Sequence, residues 1–460
     1  MKQFLIAVMC VLISVCTLPP VHAAAWLSEH EQIAFSPFDT STGPVALVSD
    51  LEGDNVRFQK LLREHPAFLS GDDGIPHLRP GASFVFCGDA PDRFPGERAL
   101  LRELLRLKQE APDRVILIVG NRDVNKLRLP PELSTAGLAR RPWLYSREYA
   151  EWRAHCGLPD QAISRLRWIL EQTMSAPKAF ENRRQELASE RNVPSDAIDD
   201  NAILESYILD ARPGGLFYQY LHAAHIMERH GSTLFLHAGI PLSALGYIPG
   251  SPVRAPTVDI WIKRLEAWYQ AQLDDWDQNE SHWDGNSPEP ADALLCYAKR
   301  WVDESMNPFS VMYGRNVDVE GKISLPSPPV IQWLRRSGIC RLVVGHTPSG
   351  QIPVSLRTDD GSFEELVLDT SYGLPNEIPL VTLEGPDLLT TSIAATVEIQ
   401  GVGLTPIAFR MPLGTNSPLG HQQKDLGILV APLSTGWLSY RLGPGFSIKY
   451  EVQPFPVLER

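Results

Sequence analysis

The chain has little cysteine, no repeats, no excess of positive charge and, beyond its N-terminus, no long apolar run. Of six cysteines in 460 residues, Cys10 and Cys16 sit in the first 23, and the other four are too few and too scattered for a disulfide scaffold. Cys87 and Cys340 lie in apolar runs and are expected as buried thiols; if a bridge forms in an oxidising compartment, the pair is Cys156 with Cys296. With 55 acidic against 42 basic side chains the net charge is −13, which gives no global handle on nucleic acid or anionic lipid but leaves room for a local basic pocket. An apolar content of 43% with 21% charged residues excludes a disordered, collagenous or multi-span membrane chain. At roughly 150 residues per domain, the length allows about three units or one large domain with insertions.

Residues 1–23 read as a targeting segment. Lys2 supplies positive charge, Phe4 to Cys16 form an apolar run too short to span a bilayer comfortably, and Val21-His22-Ala23 offers a small-residue cleavage site. Pro19 and Pro20 break any helical continuation. The expectation is a cleaved signal peptide, a secreted or periplasmic protein and no stable membrane span after cleavage.

Five short runs rich in β-branched residues suit strands buried on both faces: Val45–Val48, Ser83–Cys87, Val115–Val119, Thr233–Leu236 and Arg341–Val344. Between them, Glu97–Glu110 carries Leu101, Leu104 and Leu105 on one stripe and Arg, Lys and Glu on the other surface, an amphipathic helix. Alternating β and α elements predict an α/β sandwich whose functional loops follow the carboxyl ends of strands. From about 130 to 230 the pattern turns helical and charged, a helical insertion. A second interruption, about 251–329, holds an amphipathic segment from Val258 to Gln272 and then a polar stretch from Asp274 to Pro290, expected as an exposed loop. Beyond about 400, Thr-, Val- and Gly-rich runs predict a C-terminal β extension, 401–460.

Every one of the five runs ends in residues that ligate metals. They are Ser49-Asp50-Leu51-Glu52-Gly53-Asp54, Gly88-Asp89-Ala90-Pro91-Asp92-Arg93, Gly120-Asn121-Arg122-Asp123, Leu236-His237-Ala238-Gly239 and Gly345-His346-Thr347-Pro348. One such block alone reads as a turn. Five in succession do not.

These blocks resemble those of the calcineurin-like metallophosphoesterases, in the phosphoprotein phosphatase and diadenosine-tetraphosphatase branch, which run GDxHG, GDxxDRG, GNHE, HGG or HAG, and a late GH. The resemblance spans Val45 to about Leu380, insertions apart, and implies an α/β/β/α sandwich over 24–400 with two divalent ions. Asp50, Glu52 and Asp89 would hold one ion; Asp89, Asn121, His237 and His346 would hold the other. Two such ions clamp a phosphoryl group and activate water, so that a metal-bound hydroxide attacks directly with no phosphoenzyme. Arg93 resembles the family's phosphate-holding arginine, with a planar fork suited to two phosphoryl oxygens. Arg315 lies where relatives supply a second one, or else makes a structural ion pair. Asp369-Thr370-Ser371 resembles a segment that orients the late histidine, here His346, or is a strand-end turn. Trp152, Trp168, Arg165 and Arg167 either line a cap over the site or simply pack.

Three departures from the family pattern carry consequences. Glu52 replaces a histidine, so three carboxylates face two ions; this favours Mn, with Fe, Zn or Mg as alternatives, and an alkaline optimum. Arg122 replaces the histidine that, with the aspartate corresponding to Asp92, protonates the leaving group, and arginine cannot release a proton at working pH. It becomes a phosphate clamp or a partner of Asp92, unless His222, His225 or His282 supplies the acid. Phe94 replaces a glycine after Arg93 and alters the loop's shape.

The sequence therefore predicts a phosphomonoesterase acting on a phosphorylated protein or small molecule, with phosphotyrosine-like esters favoured, and not on nucleic acid. Its catalytic and substrate-holding residues would be Asp92, Arg93, Arg122 and Arg315. Two alternatives stay open: hydrolysis of diadenosine polyphosphates or nucleotide anhydrides, and a degenerate member that binds phosphate-bearing ligands or a partner without turnover.

Overall fold

The computed structural model describes residues 43–140, 146–285, 288–299, 307–319, 321–414, 417–423, 427–442 and 448–454. The expected signal peptide lies outside the described residues. Among them, no helix is long and apolar enough to cross a membrane.

All five apolar runs form strands. Val45–Val48, Thr233–Leu236 and Arg341–Val344 have the expected bounds, whereas Ser83–Phe86 and Val115–Leu117 end sooner. A six-stranded sheet runs in the order Gly403–Pro412, Thr390–Ile399, Leu380–Glu384, Val45–Val48, Ser83–Phe86, Val115–Leu117. Its last three strands are mutually parallel, because crossovers bearing helices Asn55–Glu64 and Glu97–Glu110 join them. A five-stranded sheet runs Met227–His230, Thr233–Leu236, Arg341–Val344, Glu364–Val367, Val354–Arg357, and its three central strands are also parallel. One continuous apolar cluster threads both sheets and their helices. Each parallel strand is buried on both faces, which the apolar residues of these runs suit; Arg341 and Glu364, the charged starts of two of them, are buried as a mutual ion pair. The blocks of ligand residues thus fall at the carboxyl ends of parallel strands in two sheets.

Helix Glu97–Glu110 has its predicted bounds and buries Leu100, Leu101, Leu104, Leu105 and Leu107. The stretch from about 130 to 230 folds chiefly as helices, the longest being Ala179–Arg191, Asp200–Ala211 and Ser146–Cys156. Fully buried Arg183 ties them to the main domain, bonding Asp210 at 2.7 Å and pairing with Glu97. A buried ion pair of this kind fixes relative placement more than it adds stability. Trp152 stacks with Tyr149 and Trp168 packs at a tilt against both, with Trp–Trp centroids 5.5 Å apart, while Arg165 donates to the carbonyls of Gly137 and Arg140. Arg167 lies over Phe180 and pairs with Glu181 and Asp200. All four candidate cap residues are packing residues.

The stretch from Asp274 to Pro290, expected as a loop, is helical only at its start, and its described residues beyond Asn279 form turns and loop as expected. One helix runs Val258–Asn279, because Leu273 and Trp276 continue the buried stripe of Trp261, Leu265 and Tyr269, and the Trp276 indole donates to the Leu127 carbonyl at 3.1 Å. The boundary drawn at 400 falls in the tip of the hairpin Thr390–Ile399/Gly403–Pro412, which pairs along its whole length and forms the edge of the six-stranded sheet. Beyond it, Gln422–Gln423, Gly427–Leu433, Gly436–Leu442 and Ile448–Pro454 make a separate four-stranded sheet. Tyr450 docks it on the main domain, its hydroxyl accepting from Gln351 N–H at 2.9 Å. Cys87, Cys156, Cys296 and Cys340 are free thiols; Cys87 is buried and Cys340 half-buried.

Candidate metal centre

The strand-end loops have unusual backbone. Asp50 (φ 51°), Glu52 (48°), Asp89 (58°) and His346 (62°) all adopt the left-handed region, which costs a residue with a Cβ roughly 1–3 kcal/mol. Neighbouring loops hold one another in these shapes. Asp50 N–H donates to Gly88 O at 2.9 Å, Glu52 N–H to Asp89 O at 3.0 Å and Gly53 N–H to Ala90 O at 2.6 Å. Asp123 accepts from three backbone N–H groups, those of Gly120 (2.6 Å), Ala90 (2.9 Å) and Asp89 (3.1 Å), and so ties two ligand loops together. Gly345 is required by close approach: a Cβ there would lie 2.0 Å from Ser49 Oγ and 2.2 Å from the Asp50 carboxylate.

The result is two buried clusters sharing one carboxylate. Ligand atoms of Asp50, Glu52 and Asp89 lie within 4.8 Å of one another, as do those of Asp89, His237 and His346. Asn121 joins the second group through its Oδ1, 3.1 Å from His237 Nε2. Every ligand candidate from the sequence is therefore drawn to one place, from loops of both sheets.

Electrostatics show that this cluster suits cations. His237 Nδ1 lies 2.7 Å from the Cys87 carbonyl and so donates to it, which leaves Nε2 facing two acceptors, Asn121 Oδ1 and Asp89 Oδ1 at 3.3 Å. An imidazole lone pair facing two oxygens needs a positive charge between them, either a proton or a metal. Burial alone would lower the His237 pKa, yet Asp89 outweighs it and the ring is pushed up to about 10. His346 Nε2 is buried with no hydrogen-bond partner, and burial and Arg315 hold this ring well below the ordinary histidine range, so it stays a neutral ligand. Burial drives Asp50 well above the usual carboxylate range, with Asp369 and Asp89 adding to it, and drives Glu52 up to about 7 even beside Arg122 and Arg93. Three buried carboxylates, an amide oxygen and two imidazoles fit divalent cations of intermediate hardness.

Beside the ligands lies a cationic group. Glu52 is gripped from two sides, by Arg93 Nε at 2.9 Å and Arg122 Nε at 3.1 Å. Arg122 also reaches Asp92 Oδ2 at 3.2 Å and donates to the Met174 carbonyl at 2.6 Å. The other Asp92 oxygen pairs with the fully buried Lys126, whose ammonium also lies 3.3 Å from Met174 Sδ. Lys126, Met174 and Asp123 were not singled out from the sequence. Arg122 and Lys126 are one helical turn apart, a spacing that puts both cations on one side and could have flagged Lys126. Met174 belongs to the helical insertion, so no local pattern points to it.

Arg315 Nη2 donates to the His346 carbonyl at 3.3 Å. Asp369 does not act on the His346 ring; its Oδ1 accepts from Ser371 N–H at 3.0 Å and from the Ser371 hydroxyl at 2.6 Å, the turn reading. His222 and His225 face the long helix, toward Asp277 and Glu266, and His282 bonds Ser281, so none of the three reaches Asp92 or Arg122. Phe94 lines a narrow cleft with Asn182, Arg183 and Tyr207, toward the helical insertion.

The chain matches the family model described as calcineurin-like phosphoesterase over residues 43–350. Similar solved structures include the cold-active protein-tyrosine phosphatase of a psychrophile, Shewanella sp. (16% identity, TM-score 0.39, covering 76% of this chain and 77% of that one). Another is a protein serine/threonine phosphatase from Saccharomyces cerevisiae with similarity to human phosphatase PP5 (10% identity, TM-score 0.35, covering 78% and 82%). No curated protein matches the chain. The matched span contains every ligand candidate from Asp50 to His346, and the chain belongs to the calcineurin-like phosphoesterase family, with candidate ligand groups for divalent metal ions.

Proposed function

We propose that this phosphatase uses two divalent ions and hydrolyses phosphomonoesters whose leaving group departs without a proton, aryl esters of the phosphotyrosine kind in preference to alkyl esters of the phosphoserine kind. One observation carries the reading: among the described residues no histidine stands beside Asp92, and the ammonium next to it, Lys126, is fully buried and paired with that carboxylate. Asp92 has both oxygens committed to cations, Arg122 and Lys126, and neither His222, His225 nor His282 lies there. A positioned general acid contributes roughly 10²–10⁴-fold, and a poor leaving group such as an alkoxide loses most by its absence.

When bound, two divalent ions supply Lewis acidity and neutralise charge in phosphoryl transfer to water. Asp50, Glu52 and Asp89 would hold one; Asp89, Asn121, His237 and His346 would hold the other. Arg93 and Arg122 are placed to exchange part of their hold on Glu52 for phosphoryl oxygens, and Arg315 adds positive charge beside His346. Three carboxylates favour Mn and an alkaline optimum. The N-terminal segment supports export, to the periplasm or beyond the cell.

A substrate panel with Mn tests this, comparing phosphotyrosine and phosphoserine peptides, a nucleoside triphosphate and a dinucleotide polyphosphate, with Asp89→Asn as control. The reading expects phosphotyrosine to exceed phosphoserine by at least about tenfold. Equal rates would refute it. Anhydrides also leave without a proton, so turnover dominated by the nucleotides would favour the anhydride hydrolase instead. Two bound metals with no turnover above the control would favour a binding protein.

A further inference from the structure

Tyr372 has an unusual setting. It is a large aromatic residue, 57% exposed, beside the candidate metal centre, and none of the described residues buries it. Its ring carries the Arg93 guanidinium 4.3 Å from the centroid. Arg93 in turn holds Glu52 at 2.9 Å, and Glu52 belongs to the ligand cluster. Tyr372, Arg93 and the metal ligands therefore form a continuous series from rim to centre.

The turn that presents Tyr372 is held from several directions. Asp369 bonds both the N–H and the hydroxyl of Ser371. Arg57, itself buried, donates to Thr370 Oγ1 at 3.1 Å and to the Glu377 carbonyl at 2.6 Å. Gly373 N–H closes the turn on Thr370 O at 2.8 Å. An exposed ring on so fixed a turn gives up little freedom when something stacks on it. In an aryl phosphoester only the ester oxygen separates phosphorus from the ring. An aryl group whose phosphoryl oxygens are gripped by Arg93 can therefore reach the exposed part of the Tyr372 ring beside that guanidinium.

We infer that Tyr372 determines specificity for the leaving group: its exposed ring is the platform on which the aryl group of an aryl phosphoester packs while Arg93 holds the phosphoryl oxygens. This rests on the aryl-ester reading above and extends it, since that reading explains why an aryl group can leave and this one explains what recognises it.

Binding of two non-hydrolysable probes to the Mn-loaded chain, phenylphosphonate and methylphosphonate, measured by titration calorimetry, separates the two. Tyr372→Ala should weaken phenylphosphonate by about three- to tenfold and leave methylphosphonate unchanged, the range expected for one aromatic pair. Tyr372→Phe should bind both as the wild type does. Equal weakening of both probes in Tyr372→Ala would reduce Tyr372 to a support for Arg93 and overturn the platform, as would no change in either. If the wild type turns over phosphoserine and phosphotyrosine peptides equally, the aryl-ester reading fails by itself, while the phosphonate comparison still decides the platform.

Discussion

Two sides of the catalytic site are built on one loop, the stretch after strand Ser83–Phe86, with opposite electrostatic logic. On the ligand side, Asp89 faces His237, His346 and the carboxylates of Asp50 and Glu52, an arrangement that is short of positive charge. On the leaving-group side, Asp92 is enclosed by Lys126 and Arg122, and its charge is already answered from within the chain. The first side must recruit cations from outside. The second is already paired within the chain, and on the proposed reading its components serve placement and phosphate binding rather than proton transfer. On the proposed reading, a phosphoesterase built this way places its electrostatic power at the metals and leaves departure of the ester oxygen to the chemistry of the substrate.

The comparison breaks most sharply at the shared ligand. Asp89→Asn should cut turnover of an aryl phosphate by on the order of 10²-fold or more and lower bound metal measured by elemental analysis, because even groups behind a ligand cost roughly 10–100-fold in affinity or activity. On the other side, Lys126→Met should leave metal content near two per chain while costing about 3–5 kcal/mol in urea unfolding, since it strands a buried carboxylate with one partner lost. A metal loss as large as that of Asp89→Asn would erase the distinction between the two sides.

A third cluster, remote from the site, sharpens the contrast through pH. Glu364 is buried between Arg341, 2.5 Å away, and Arg357, 3.1 Å away. Burial would raise its pKa, but the two guanidinium groups outweigh this and hold the carboxyl down at about 2. A carboxyl depressed on folding contributes stability that is full above its ordinary value near 4.5 and lost as pH falls toward 2. The unfolding free energy of the wild type should thus exceed that of Glu364→Gln at pH 5, and the gap should close by up to about 3 kcal/mol between pH 4.5 and 2. A gap independent of pH would show that packing, not charge, sets it. The smallest effect is expected from Arg122→His, which restores a titratable group beside Asp92. The ratio of phosphoserine to phosphotyrosine turnover should rise about tenfold, a fraction of what a fully placed acid supplies. An unchanged ratio would locate the substrate preference elsewhere.

Much of the catalytic framework was legible in the chain. The strands preceding Asp50, Asp89, Asn121, His237 and His346 are short β-branched runs, and a run buried on both faces needs no partner information to be recognised. Helix Glu97–Glu110 was legible for a similar reason, since one period of leucines defines its buried face. Only the start of the stretch from Asp274, up to Asn279, was misread, because acidic residues line the exposed side of a helix whose buried stripe continues through Leu273 and Trp276; composition averages the two faces and hides the second. Strand Met227–His230 pairs antiparallel with Thr233–Leu236, and its Glu228 and Arg229 mask the alternation that would mark it.

The identities and spacing of the ligand residues were determined by sequence alone, because an apolar strand that stops at a carboxylate or a histidine is a local covalent fact. Glu52 and Arg122, at positions where the resemblance leads one to expect histidines, were equally plain, and they are what the proposed lack of an acid rests on. Which charges meet was decided only by the tertiary structure. Lys126 closes on Asp92 across 34 residues, Met174 reaches both Arg122 and Lys126 from the helical insertion, and Tyr372 meets Arg93 from beyond the last strand of the second sheet. Such contacts depend on strand order and on loops held in the left-handed region by one another's hydrogen bonds. No local period encodes them, and inside a low-dielectric core they determine whether a charge waits for a metal or is already satisfied.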